Sequence, residues 1–222
     1  MNLNIIQDFI PVGRKNRPGR ANPMLFVTIH ETGNTKVGAN AKTHSSYIKG
    51  NDAANLPTSW HYTVDDTETY QHLPENEDAF HAGDGAGNGN RQSIGIEMCV
   101  NADGNFQKTV DRTVELVKDI CIRRNIPVAN IRQHFDWSGK NCPQNIRVGK
   151  PYTWKVFLDR VKVAIEQQKF AQTFLPGHEP SAWAHESWAW AIRNKLTDGT
   201  NPQNMPTREQ MIQLLFNYSK AI

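Results

Sequence analysis

Cysteine is scarce in this 222-residue chain, which has three, Cys99, Cys121 and Cys142. An odd number at wide spacing excludes the disulfide framework of a small secreted domain. Long apolar runs are also missing. None approaches the roughly 20 residues of a membrane-spanning helix, so no membrane partner is expected. Neither charge sign accumulates: 25 Lys and Arg stand against 22 Asp and Glu, for a net charge of +3. The basic residues are scattered, and nucleic acid is therefore not expected as a partner. The opening MNLNIIQDFIPVGRKNRPGR lacks a basic start, an apolar stretch and a small-residue cleavage site, so synthesis in the cytoplasm without a signal peptide is expected. There is no internal repeat. A globular chain long enough to bury a core remains.

Its periodicities predict an α/β fold in which a mixed central β-sheet is flanked by helices. MLFVTIHET (24–32) reads as a buried strand that ends at His30 to Thr32. AKTHSSYIKGN predicts a helix closed by Gly50, and SWHYTVDDTETYQHL predicts two strands joined as a hairpin near Asp65 to Thr67. SIGIEMCV (93–100) is a third core strand carrying one carboxylate, Glu97. Residues 107–124 put Val110, Val114, Val117, Ile120 and Cys121 on one helical stripe, with Pro127 barring continuation. A second amphipathic helix runs through Trp154, Phe157, Leu158, Val161 and Ile165. These elements make a domain over 1–168, followed by a Pro- and Gly-containing linker over 169–180. A small C-terminal helical module over 181–222 completes the chain, with Ser181 capping its first helix, Asp198-Gly199 and Pro202 breaking it, and a Thr207/Gln210 capping box starting the second.

Reactive side chains concentrate in RQHFDWSGKNCP (132–143), a stretch without helical or strand period. Loops that carry such residues are commonly positioned for function by the scaffold. His134, Cys142 and the strand-end His30 would supply two imidazoles and a thiolate. Three such ligands leave zinc a fourth position for water. The spacing permits this arrangement and equally permits ordinary loop packing. A cation near that open position, Lys140, would stabilise an oxyanion. Glu97, if desolvated beside the metal, would accept a proton from water, or it could be a salt-bridged strand carboxylate. Cys99 and Cys121, on apolar faces, read as core packing.

Five blocks, FVTIHETGN, SWHYTVDD, FHAGDG, QSIGIEM and HFDWSGKNCP, occur in the order and spacing of the zinc-dependent N-acetylmuramoyl-L-alanine amidases that share their fold with peptidoglycan-recognition proteins. The likeness spans about residues 20 to 165 and is greatest to the phage endolysin and autolysin branch. It implies that His30, His134 and Cys142 hold one catalytic zinc ion, that Glu97 and Lys140 are catalytic, and that the substrate is bacterial peptidoglycan. His81, Trp60 and Asn34, within the matching blocks, are candidate substrate contacts. His61 is expected to support them from behind, whereas His44, His72, His178 and His185 read as surface or capping residues.

The tail is similar to one copy of an S-layer-homology module, through WAWAIRNKL, DGTNP and TREQMIQLL. The resemblance implies binding to a secondary cell-wall polymer. A helical hairpin that only stabilises the domain is the alternative. Together the likenesses imply an endolysin that acts on the wall after release from the host cytoplasm. Two other readings are a non-catalytic peptidoglycan-recognition module, from which the retained Cys142 distinguishes this chain, and a cytosolic muropeptide-recycling amidase, against which the tail argues.

Overall fold

The structure is a computed structural model that describes residues 3–173, 181–194, 196–197, 200, 209, 211–213 and 215–216. It divides into two compact units, Met1–Ala164 and Ile165–Ile222. In chain order the first contains β1 (Ile5–Gln7), β2 (Phe26–Glu31), α1 (Ala41–Lys49), α2 (Asn51–Ala54), β3 (Tyr62–Val64), β4 (Thr69–Gln71), α3 (Asn88–Gln92), β5 (Ser93–Met98), α4 (Phe106–Arg124), β6 (Ile131–Gln133), α5 (Phe135–Ser138), α6 (Gln144–Arg147) and the start of α7 (Trp154–Thr173). The strands form one mixed sheet in the order β1-β4-β3-β5-β2-β6. Every neighbouring pair is parallel except β3 and β4, the expected hairpin.

The centre of this sheet is covered on both faces, as helix-flanked parallel strands require. Val27, Thr28, Ile29 and His30 of β2 are all buried, as are Ile94, Gly95 and Ile96 of β5. Side chains alternate along a strand, and the register pairs Thr28 with Gly95, Ile29 with Ile96 and His30 with Glu97. One face is therefore aliphatic. The other carries Thr28, His30 and Glu97 beside a glycine.

Helix α4 buries the whole expected stripe, Val110, Val114, Val117, Ile120 and Cys121, and packs on β3 and β5. It ends before Pro127, because Asn125 adopts a left-handed conformation at φ 54° and the Ile126 N–H returns to the Cys121 carbonyl. Its last turn is pinned to the sheet by the buried Glu75, which accepts from the Tyr62 hydroxyl and from the guanidiniums of Arg123 and Arg124. Gly50 does close α1, but at φ −69°, and α2 restarts at once. Cys99 and Cys121 are buried, as core packing predicts.

Phe157 and Val161 of α7 are buried while Trp154, Leu158 and Ile165 are half-buried. This helix runs past residue 168 to Thr173, so the first five residues of the expected linker are helical and 174–180 lie outside the described residues. In the second unit, Ser181 precedes a single 3-10 turn, Ala182–Ala184, without a side-chain cap, and α8 spans His185–Arg193. Asp198-Gly199, Pro202 and the Thr207/Gln210 box lie outside the described residues. Among those described, no helix is long and apolar enough to cross a membrane.

Candidate metal centre

Three adjacent parallel strands, β5, β2 and β6, deliver their carboxyl ends to one place. Such ends are where open α/β sheets bind ligands. His30 is the penultimate residue of β2, Glu97 lies opposite it on β5, and His134 directly follows β6, with its N–H on the Ile29 carbonyl. The chain then turns through α5 and Gly139, whose φ of +76° is left-handed. The Phe135 N–H closes the loop on the Cys142 carbonyl. Cys142 thereby reaches β2, where the Glu31 N–H donates to its Sγ at 3.3 Å.

One ligand atom from each of His30, His134 and Cys142 lies within 4.8 Å of the others, and all three residues are buried. The two imidazoles meet through Nδ1, 2.9 Å apart. Their tautomers follow from the partners behind them. Ser93 gives its one hydroxyl proton to the Gly89 carbonyl. The Thr28 hydroxyl accepts from the Trp137 indole N–H and so donates to Ser93 Oγ at 2.7 Å. Ser93 Oγ can only accept from His81 Nε2, 3.4 Å away, so His81 Nδ1 is an acceptor. The His30 Nε2–H donates to it at 2.9 Å. His30 Nδ1 is left as a bare lone pair.

His134 turns its Nε2 toward the Ala82–Gly83 backbone, and with the ring proton on that nitrogen its Nδ1 is a second bare lone pair. Two lone pairs facing each other at 2.9 Å repel unless a cation or a shared proton lies between them. Burial, reinforced by neighbouring imidazoles, holds His30 well below the usual histidine range, and burial and Lys140 hold His134 down to about 4. Protonation is therefore disfavoured and a metal ion fits. Burial pushes the Cys142 thiol up to about 12, and a bound cation would reverse that shift by coordinating the thiolate.

Glu97 Oε1 is 3.9 Å from His30 Nδ1, while its buried Oε2 has no hydrogen-bond partner among the described residues. Burial pushes this carboxyl up to about 7, against the opposing charge of Lys140. Lys140 is exposed and lines a cleft together with His81 and His134. The structure thus brings His30, His134, Cys142, Glu97 and Lys140 together.

The other expected contacts are placed differently. His81 borders the cleft, yet both ring nitrogens are engaged in holding His30. Gly95 lacks a side chain where that ring lies: a Cβ there would sit 2.7 Å from the His81 ring. Trp60 is not brought to the site. It is packed with Ile10, Ile48 and Leu73, and its indole N–H is bonded to Thr63 Oγ1. Asn34 is half-buried in the turn after β2, where its Oδ1 accepts from the Lys36 N–H.

His61 does stand behind the site, its ring against His81, accepting from the Gly95 N–H and donating to the Glu77 carbonyl. His44 and His72 are buried rather than superficial. His72 bonds Thr63 Oγ1 and His44 bonds the Asn40 carbonyl that begins α1. His185 opens α8, and His178 lies outside the described residues.

Sequence reasoning missed Glu31. Its half-buried carboxylate accepts from the backbone N–H groups of Asn145 and Ile146 and from Asn145 Nδ2, tying the segment after Cys142 to β2. A carboxylate beside the strand-end histidine was the available signal, but its partners lie more than a hundred residues away.

The sequence profile of the N-acetylmuramoyl-L-alanine amidases matches residues 20–145. Among curated relatives, N-acetylmuramoyl-L-alanine amidase XlyA of Bacillus subtilis (strain 168) is 56% identical over 144 residues, 65% of this chain and 48% of that protein. CwlH of the same organism is 47% identical over 145 residues, 65% of this chain and 57% of that protein. The chain thus spans about half the length of the curated relatives it matches. The solved catalytic domain of XlyA superimposes with a TM-score of 0.67 at 52% identity, covering 72% of this chain and 99% of that domain.

Proposed function

The chain belongs to the N-acetylmuramoyl-L-alanine amidase family, and on that premise we propose that it hydrolyses the amide between the lactyl group of N-acetylmuramic acid and the first L-alanine of the peptidoglycan stem. The observation that carries this reading is the convergence of two imidazole lone pairs and a thiol beside Glu97 and Lys140. Two nitrogens and one sulfur are the ligand chemistry of zinc with a position left open. We assign zinc to His30, His134 and Cys142, where it would supply Lewis acidity to water and to the scissile carbonyl.

The chain's own residues do the rest. Glu97, with one carboxylate oxygen unpartnered, takes a proton as water adds to the lactyl carbonyl. Lys140 lends its ammonium to the oxygen that becomes negative. Glu97 returns the proton to the L-alanine nitrogen as the C–N bond breaks, leaving a lactyl carboxylate and a free amine. The network behind His30 holds its lone pair in place throughout.

The endolysin role is part of the same proposal, since relatives carrying amidase names and solved endolysin domains share this unit. Residues 181–222, read as a wall-binding module, would raise the enzyme's local concentration on the wall. The exposed Trp183 offers a sugar-stacking surface for it.

The test measures zinc content by atomic absorption together with new N-terminal alanine released from purified peptidoglycan. One equivalent of zinc and alanine release are expected. Glu97→Gln should keep the zinc and lose about 10²- to 10⁴-fold in rate. Release of a different terminus, or full activity of Glu97→Gln, would overturn the reading.

A further inference from the structure

The loop that carries Lys140 and Cys142 is fastened on its inner side, by the Phe135 N–H on the Cys142 carbonyl and the Glu31 N–H on the sulfur. These bonds fix where the loop begins and ends. Between them, Gly139, Lys140 and Asn141 are all exposed, and the Lys140 carbonyl accepts from the Cys142 N–H at 2.7 Å, a bond internal to the turn.

The outer turn is met from outside by the side chain of Arg147. Its guanidinium lies over the Phe135 ring, 3.6 Å from the centroid, its Nε donates to Asn141 Oδ1 at 2.9 Å and its Nη1 to Gln133 Oε1 at 3.4 Å. One side chain thus touches the residues on both sides of His134 and the residue between Lys140 and Cys142. The stacking distance is well inside the roughly 6 Å reach of cation–π attraction. Arg147 forms no ion pair among the described residues, and both of its bonded acceptors are neutral amides. Its contacts therefore fix a geometry rather than cancel a charge, and a planar group with N–H donors on its edge is suited to stacking and bonding at once.

Arg147 itself stands on a fixed base. It belongs to α6, whose Asn145 and Ile146 N–H groups are held by the Glu31 carboxylate, whose Ile146 is fully buried, and whose Arg147 N–H returns to the Pro143 carbonyl. We propose that Arg147 is a positioning residue for Lys140: it clamps the outer turn so that the ammonium is held where the oxyanion forms, while Cys142 is kept in place by the inner bonds of the loop. The assignment rests on the amidase reading and adds to it a residue that touches neither metal nor substrate.

The experiment uses the full chain, a soluble muramoyl peptide and four variants: Arg147→Gln, Asn141→Ala, Lys140→Ala, and Arg147→Gln combined with Lys140→Ala. Arg147→Gln should lower kcat by about tenfold or more with little change in KM, since a small misplacement of a group that acts in the transition state is costly. Zinc affinity, from chelator competition, should stay within about threefold of the parent, below the loss typical of a broken outer partner of a metal ligand. In the Lys140→Ala background the same change should cost less than about twofold, because the ammonium it orients is gone. Hydrogen exchange of the zinc-loaded protein should quicken in peptides covering 135–142 and not in β2 or α4. Asn141→Ala removes one contact from an exposed position and should show the same pattern to a lesser degree, which keeps the test in force if Arg147→Gln does not fold.

Losses that multiply in the double variant, zinc affinity that falls in step with kcat, or unchanged exchange in the loop would each overturn the positioning role and leave the amidase reading standing. A raised KM with intact kcat would overturn it too, by placing Arg147 on the substrate. If the parent chain with zinc bound releases no alanine terminus, the amidase reading fails and the role falls with it.

Discussion

Ser93→Ala isolates the device that sets the His30 tautomer. Three hydrogen bonds meet at Ser93 Oγ, from Thr28 and His81 and to the Gly89 carbonyl. Removing the oxygen leaves three fully or nearly buried groups short of a partner. At about 1–3 kcal/mol for each uncompensated buried group, offset in part by a water entering the small space, a net loss of about 2 kcal/mol is expected. For a domain of this size that lowers Tm by about 4–8 °C. The informative effect is on metal affinity. Without the serine acceptor, His81 no longer has to carry its proton on Nε2, and His30 Nδ1 is no longer held bare. Loss of such an outer partner typically weakens metal binding about 10- to 100-fold. Zinc competition against a chromophoric chelator at pH 7 measures it. Thr28→Val is the contrast: it strands the Trp137 N–H and costs similar stability, but leaves the Ser93 oxygen for His81. Its zinc affinity should stay within about threefold of the parent protein, well short of the loss expected for Ser93→Ala. Equal affinities in both variants, at equal stability loss, would refute the proton-ordering argument.

Cys142→Ser should lose most bound zinc and all wall lysis, because a hydroxyl remains protonated where a thiol can become a thiolate; atomic absorption on the purified variant checks it. Glu75 gives a pH dependence. Burial alone would raise its pKa, but Arg123, Tyr62 and Arg124 hold it at about 2, against an ordinary 4.5. A depressed carboxyl contributes its stability above the ordinary value and loses it as pH falls toward the folded one, so roughly 3 kcal/mol should disappear between about pH 4.5 and 2. In urea titrations Glu75→Gln should lack that part of the acid sensitivity, and an unchanged slope would count against the network. Lys140→Ala should keep its zinc and lose about 10²- to 10³-fold in kcat with less change in KM, as for a removed oxyanion donor. A raised KM with intact kcat would place Lys140 on a ground-state carboxylate.

The parts of the fold that were legible from sequence are those with a strong period and a local cause. β2 and β5 read correctly because β-branched runs of six residues fit a strand buried on both faces. α4 did so because its five-residue stripe recurs at helical spacing. The residues of the candidate metal centre stood out as chemistry, through residue types gathered on an aperiodic loop and through five blocks in family order, and the structure brings them together. What stayed hidden was direction. SWHYTV alternates, and alternation does not say which face meets the site; the structure turns Trp60 into the core beside Ile10 and Leu73. His81 read as a substrate contact because it sits in a loop block, whereas its place against Gly95 is a packing fact that no local pattern announces. Glu31 depends on pairings across 114 to 115 residues of chain, and these have no signature in any short window.

The loop from His134 to Cys142 is then understandable as a consequence of the sheet. β6 is an edge strand of three residues and can deliver only one side chain, His134, to the carboxyl end where His30 already lies. A third ligand has to come back to β2 from outside the sheet. The chain achieves this with a short helix, a left-handed glycine at 139 and a backbone bond from Phe135 to the Cys142 carbonyl. β2 receives it at one residue: the Glu31 N–H meets the sulfur and the Glu31 carboxylate meets the N–H groups of Asn145 and Ile146. Cutting either attachment would leave two imidazoles facing each other without the donor that completes a metal site. The same closed loop carries Lys140 at its outer turn, so that holding the thiol in place also fixes the cation over the cleft. The thiol and the lysine of RQHFDWSGKNCP are thus placed by one closure.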